Sequence, residues 1–115
     1  MDINELICTM FEKVGVDIFY IHKPDGYEVD NYITFNFILN GTWESNNKPE
    51  MDKYFITLNF ITKKPNELNR IINEFKKNIR ENEMCYGFMN RGTIYNKDSL
   101  EFFNASTFYM LVPTE

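Results

Sequence analysis

The hydrophobic positions of this chain repeat with two different periods. Near the N-terminus Ile3, Leu6, Ile7, Met10, Phe11 and Val14 recur at three- and four-residue steps, which is one stripe of a helix. Asp2 followed by Glu5 makes a capping-box start with Asp in place of Ser or Thr. Gly15 stands where a helix stops. The spacing predicts helix one over about residues 3–14, with a narrow stripe suited to lying on a surface. Leu68, Ile71, Ile72, Phe75 and Ile79 form a second stripe and predict helix two over about residues 65–81. Pro65 fits its first position. Glu67 suits the positive end of the helix dipole, and Lys76, Lys77 and Arg80 the negative end.

Between the helices the period becomes two. Residues 32–39 place Ile33, Phe35, Phe37 and Leu39 on one face and Tyr32, Thr34, Asn36 and Ile38 on the other. Residues 53–62 set Tyr54, Ile56, Leu58 and Phe60 against Phe55, Thr57, Asn59 and Ile61. Such alternation predicts a sheet with one face in the core and the other partly wet. Asn40, Gly41, Trp43, Ser45, Asn46, Asn47 and Pro49 read as a polar loop joining an antiparallel pair. At about a dozen residues it is long for a hairpin, and long loops are often functional.

The flanking segments are weaker. Asp17–Ile21 is a short β-like run, an edge strand if it joins the sheet, followed by the turn signal Pro24-Asp25-Gly26. Residues 82–92 contain Asn82, Gly87, Asn90 and Gly92 and read as a loop. A short strand at 93–95, a turn at 96–99 and a final strand from Leu100 to Val112 complete the chain. That strand alternates Phe102, Phe108 and Met110 with Phe103, Ala105, Thr107, Tyr109 and Leu111. Asn104 and Ser106 interrupt the first set, so a bulge is expected near residue 104.

The order α(β)ββαββ predicts an α+β fold, an antiparallel sheet of about four strands with two helices packed on one face. With no internal repeat or linker, residues 1–115 read as a single domain. The opposite sheet face, rich in Tyr, Thr and Asn, or a sheet edge, is the expected seat of a neighbouring subunit.

Composition sharpens this picture. A hydrophobic fraction of 43% and an aromatic fraction of 17% argue against disorder. Eleven Phe and seven Tyr are many for a core of this size, which points to a protein partner. A net charge of −5 disfavours broad attraction to nucleic acid. Tyr32, Phe35 and Phe37 lack the basic groove that accompanies base-stacking platforms, so they read as core or subunit contacts. Lys63-Lys64 and Lys76-Lys77 read as solvated element ends. No secretory leader and no run of ~18–20 apolar residues is seen, so neither export nor a membrane span is expected.

Candidate chemistry is sparse. Cys8 and Cys85 have neither metal spacing nor a disulfide framework, and read as inert, reduced thiols of a cytosolic product. His22 sits in a turn without a nucleophile or carboxylate at a telling spacing. Asp25, Glu28 and Asp30 lack the glycine that a calcium loop needs. Gly87 and Gly92 are too far apart for a phosphate loop, and Asp98 with Glu101 reads as a solvated turn. No catalytic, cofactor or metal site is expected, and the chain does not read as an enzyme. Trp43, alone in a polar loop, is either a folded-back lid or an interface anchor.

The arrangement resembles the small tail-completion, or tail-terminator, proteins of tailed bacteriophages and phage-like particles. The likeness lies in the N-terminal helix, the strand Asn31–Phe35, the polar loop, and the strand Tyr54–Thr62 running through Lys63 into helix two. Tyr95–Ser99 then precedes a long final strand. The resemblance spans nearly the whole chain. It implies a non-enzymatic virion protein, placed in the tail or neck after assembly in the host cytoplasm. It further implies a homo-oligomeric ring, usually a hexamer, at the head-proximal end of the tail, with tail-tube and connector proteins as partners. The loop from Asn40 to Asp52 would dock, with Asn40, Gly41, Trp43, Glu44, Asn46, Asn47 and Lys48 at the interface. A ring needs a head-to-tail contact that closes, and repetition lets each contact be modest. The alternative is a small acidic binding module, such as an immunity or inhibitor protein masking a basic partner. That reading predicts a single 1:1 complex.

Overall fold

A computed structural model describes residues 2–45 and 48–113, the side chains of residues 43–45, 48 and 49 lying outside the described set. The chain runs α1 (Ile3–Met10), a 3-10 turn (Glu12–Val14), β1 (Asp17–Tyr20), β2 (Tyr32–Ser45), β3 (Lys48–Thr62), α2 (Pro65–Glu81), β4 (Cys85–Asn96) and β5 (Glu101–Pro113). The fold is α+β, as expected. The sheet has five strands in the order β1-β2-β3-β5-β4 and is mixed, because β1 runs parallel to β2. The expected wholly antiparallel sheet of about four strands is corrected on that point. A parallel pair needs a crossover, here residues 21–31, which carry no regular element.

Both helices pack on one face. Asp2 caps α1, its carboxylate accepting from the Asn4 N–H at 2.9 Å. The expected helix over 3–14 breaks at Phe11 into a 3-10 turn closed by left-handed Gly15, yet Ile3, Ile7, Phe11 and Val14 still form one buried stripe. Pro65 opens α2 as expected, and Leu68, Ile71, Ile72, Phe75 and Ile79 are all buried. Phe75 centres the core. Its ring stacks on Phe11 at 4.0 Å and meets Phe60 and Phe108 edge-on at 5.4 and 5.8 Å. Beneath lie Ile33 and Phe35 of β2, Ile56, Leu58 and Phe60 of β3, and Phe108 and Met110 of β5. Each such side chain removed from water contributes roughly 1.5–3 kcal/mol.

Three expectations fail, each for a backbone reason. The polar loop at 40–52 is instead a ladder, with Gly41 opposite Lys53, Thr42 opposite Asp52 and Trp43 opposite Met51. Register shifts at Leu39/Gly41 and Trp43/Ser45 absorb the irregular residues, so strand pairing continues without apolar alternation. The loop expected at 82–92 is a turn only at residues 82–84 and is strand from Cys85 onward. Gly87 and Gly92, at φ of 69° and 123°, serve bulges in β4 rather than turns. The bulge expected near residue 104 lies across the ladder. The β5 register against β3 is unbroken, and the shift falls between Asn90 and Gly92 of β4.

Asn104 explains that exchange. It is fully buried on the helix side, opposite Phe60 and Thr93. Its Nδ2 lies 2.9 Å from Asn90 Oδ1, 3.1 Å from the Gly92 carbonyl and 2.9 Å from Thr93 Oγ1. Its Oδ1 accepts from Ser106 Oγ at 2.7 Å. The buried amide is thereby satisfied and pins the β4 bulge.

Candidate interaction surface

The helices leave two regions uncovered. The first is the distal end of β2 and β3, an arm whose Met51–Lys53 still pair with Leu111–Pro113 of β5, so that of the described residues only Glu44–Ser45 and Lys48–Glu50 run past the third strand. Ile38 and Leu39, adjacent and therefore on opposite faces of the strand, are 59% and 56% exposed at its base. Thr42 Oγ1 donates to Asp52 Oδ1 at 2.8 Å and ties the two strands. Of the predicted interface residues, Asn40 and Gly41 lie exposed on this arm. Trp43, Glu44 and Lys48 belong to its strands, with side chains outside the described set. Asn46 and Asn47 lie outside the described residues. The choice between lid and anchor for Trp43 falls outside them too.

The second region is the sheet face away from the helices. Register places Tyr32, Ile61, Phe103 and Ile94 in one row across the sheet, and Thr34, Asn59, Ala105 and Gly92 in the next. Two hollows of about 510 Å³ each open here and share Asn59 and Phe103, forming one trough. One wall is Ile21 to Asp25. Ile21 has a φ of 72°, a strained value for a β-branched residue, and the His22 N–H donates across it to the Tyr20 carbonyl at 2.9 Å. Lys23 lies over the Tyr32 ring at 5.1 Å. The other wall is Arg91 to Ile94, with Ile94 70% exposed. Arg91 is laid across the face by Nε donating to Thr107 Oγ1 at 3.2 Å.

The sheet edges are less available than its face. Beyond the four residues paired with β1, the edge of β2 is open, but the Phe37 N–H donates to Asn36 Oδ1 at 2.8 Å. β4, the other edge, is bulged twice, and its Gly92 N–H donates to Asn90 Oδ1 at 2.9 Å. Bulges and side-chain caps of this kind discourage strand addition.

Little chemistry accompanies these surfaces. No three His, Cys, Asp or Glu side chains gather as a metal would require among the described residues. His22, Asp25, Glu28 and Asp30 are all exposed. Burial pushes the Cys85 thiol up to about 12, which suppresses its thiolate. Cys8 is raised as well, first by burial and then by the Asp2 carboxylate, and its Sγ donates to Asn4 Oδ1 at 3.5 Å. Burial, with the nearby Glu101 carboxylate, raises the Tyr32 phenol. No described helix is long and apolar enough to cross a membrane.

This geometry has a counterpart among solved structures. A chain from a structure of the virion of a native gene transfer agent particle superposes with a TM-score of 0.52 and 11% sequence identity, covering 91% of this chain and 84% of that one. The fold is shared. No family model matches the sequence, and no curated protein matches it. The likeness is thus one of architecture.

The sequence pattern points to the uncovered face or a sheet edge for a subunit contact and does not single out Ile21, Arg91, Ile94 or Phe103. The available signal was Ile94, an aliphatic residue between Gly92 and Tyr95 in a segment with no core period.

Proposed function

We propose that this protein is a structural component of a phage or phage-like particle, and that it forms a ring at the head-proximal end of the tail, joining tail tube to connector. The observation that carries the reading is the fold shared with a gene transfer agent virion chain over 91% of this chain. It agrees with the sequence resemblance to tail-completion proteins. A projecting arm and an uncovered sheet face suit repeated contact with neighbours. The arm, with Asn40, Gly41, Trp43, Glu44, Asn46, Asn47 and Lys48, is the element that reaches an adjoining subunit of the particle. A particle position, in the tail or neck, and partners in the tube and connector follow from the same reading.

Electron microscopy of particles made without this protein tests it. Separate heads and tails are expected, joined again when the protein is supplied. Normally joined particles would contradict the reading, as would a soluble monomer whose one partner is a single basic protein bound 1:1.

A further inference from the structure

We propose that the exposed β4 edge of one copy docks against the acidic N-terminal edge of a second copy, head to tail. Charge is divided unevenly along the chain. Residues 1–31 hold seven acids against Lys13 and Lys23, which is the whole net charge of −5, while the remaining residues balance at ten acids and ten bases. All seven acids, from Asp2 to Asp30, are exposed. Among the described residues the only ion pair is Arg70 with Glu67, so no ion pair engages the seven there.

The fold gathers these acids on one side. α1 packs beside β1, which is an outermost strand of the sheet. Tyr27 holds the crossover against β1. Its ring meets Phe19 edge-on at 5.3 Å, and its hydroxyl donates to Asp17 Oδ2 at 3.1 Å. Glu12 and Asp17 border one hollow on this edge, and Asp17 and Asp30 border the next. Arg70 also borders the second but is already held by Glu67 at 2.8 Å. Like charge concentrated on one edge repels itself until a surface of opposite character covers it.

The opposite edge has that character. From Met84 to Lys97 the chain carries no acid and two bases, Arg91 and Lys97. Lys76 of α2 comes alongside, its Nζ 6.0 Å from the centre of the Phe88 ring. Glu83 and Asp98 lie in the turns at the two ends of β4, and Glu101 stands opposite Asn96 at its last position. Tyr86, Met89, Ile94 and Tyr95 of β4 are exposed, and the acidic edge offers exposed Tyr20 and Tyr27 in return. Apolar contact ringed by opposite charge is the make-up of a specific interface.

Within one copy these edges cannot meet. β1 and β4 end the order β1-β2-β3-β5-β4, which separates them by roughly 19 Å at about 4.8 Å per strand. The bulges of β4 discourage strand addition, so the contact runs through side chains. A contact between unlike edges either closes into a ring or continues as a filament. The inference rests on the ring reading above only for closure.

Charge reversal followed by analytical ultracentrifugation tests the contact. Glu12→Lys, Glu28→Lys and Asp30→Lys together make the N-terminal edge basic. Arg91→Glu with Lys97→Glu makes the β4 edge acidic. Wild type is expected to oligomerise, and to dissociate as NaCl rises from roughly 0.1 M to roughly 1 M and the screening length falls from about 10 to about 3 Å. Each variant alone should be monomeric with an unchanged circular dichroism spectrum, because its two edges then carry the same sign. Mixed 1:1, the variants should assemble again, and native mass spectrometry should find them in equal numbers in every oligomer. Glu12→Lys alone and Lys97→Glu alone replace a variant that fails to fold, and are read in the same direction.

Oligomers that persist in either variant, a mixture that stays monomeric, or assembly indifferent to salt would overturn the proposal. Wild type still monomeric at ~1 mM, where even weak contacts register, would overturn it too and leave the acidic edge to a basic partner. Rings that survive both variants would remove this contact and leave the tail-joint reading standing. Particles that join without the protein would remove that reading and leave the contact standing.

Discussion

Two faces of the same five strands behave in opposite ways. On the helix side, the row Phe35, Leu58 and Ser106 is sealed, and even Asn104 and Ser106 are almost completely buried. On the other side, the row ending in Ile94 leaves that aliphatic side chain 70% exposed. Residue type alone does not separate the faces. An amide is buried where four partners satisfy it, and Ile94 is exposed on the edge strand where no helix reaches, although Ile61, two strands in along the same row, is buried by its neighbours. The covered face therefore holds most of the core, and the uncovered face with its arm is the surface that the proposed association would use.

The sharpest way to break this contrast is at the centre of the covered face. Phe75→Ala should cost about 3–5 kcal/mol in denaturant unfolding, since the rings of Phe11, Phe60, Phe88 and Phe108 surround that side chain. Asn104→Leu should cost about 1–3 kcal/mol by leaving Asn90 and Ser106 without their buried partner. Native hydrogen exchange should then open β4 first. Gly87→Ala should cost about 1–2 kcal/mol, because an added Cβ stands 3.0 Å from the Tyr109 ring at a φ of 69°. On the uncovered side the same measurement should hardly move. Ile38→Ser or Ile94→Ser, at side chains 59% and 70% exposed, should change stability by less than about 0.5 kcal/mol, while sedimentation shows weaker assembly. A large loss of stability with either change would place that residue in the fold's support.

The covered face was also the legible one. Helix two could be read because Leu68, Ile71, Ile72, Phe75 and Ile79 hold one period under a fitting Pro65 start. The strand cores at 32–39 and 54–62 were readable from alternation, since a helix lies over one of their faces. The arm was not, because ladder hydrogen bonds join backbone to backbone and the bulges absorb Asn40-Gly41. The start of β4 was hidden for a related reason. Gly87, Asn90 and Gly92 have the chemistry of turns, which bulges use as well. Parallel pairing of β1 and the partners of Asn104 depend on contacts between residues distant in sequence. Local patterns do not carry that information. An uncovered face was expected, but its trough comes from two walls, Ile21–Asp25 and Arg91–Ile94, that meet only in the folded sheet.

Hydrogen exchange on the assembled protein, set against a folded monomeric variant, addresses the division between the faces most directly. Assembly should slow exchange in residues 36–42 of the arm and 89–95 of the trough rim and leave the amides of α2 unchanged. Slowing confined to α1 and α2, with the arm and rim unaffected, would contradict the account.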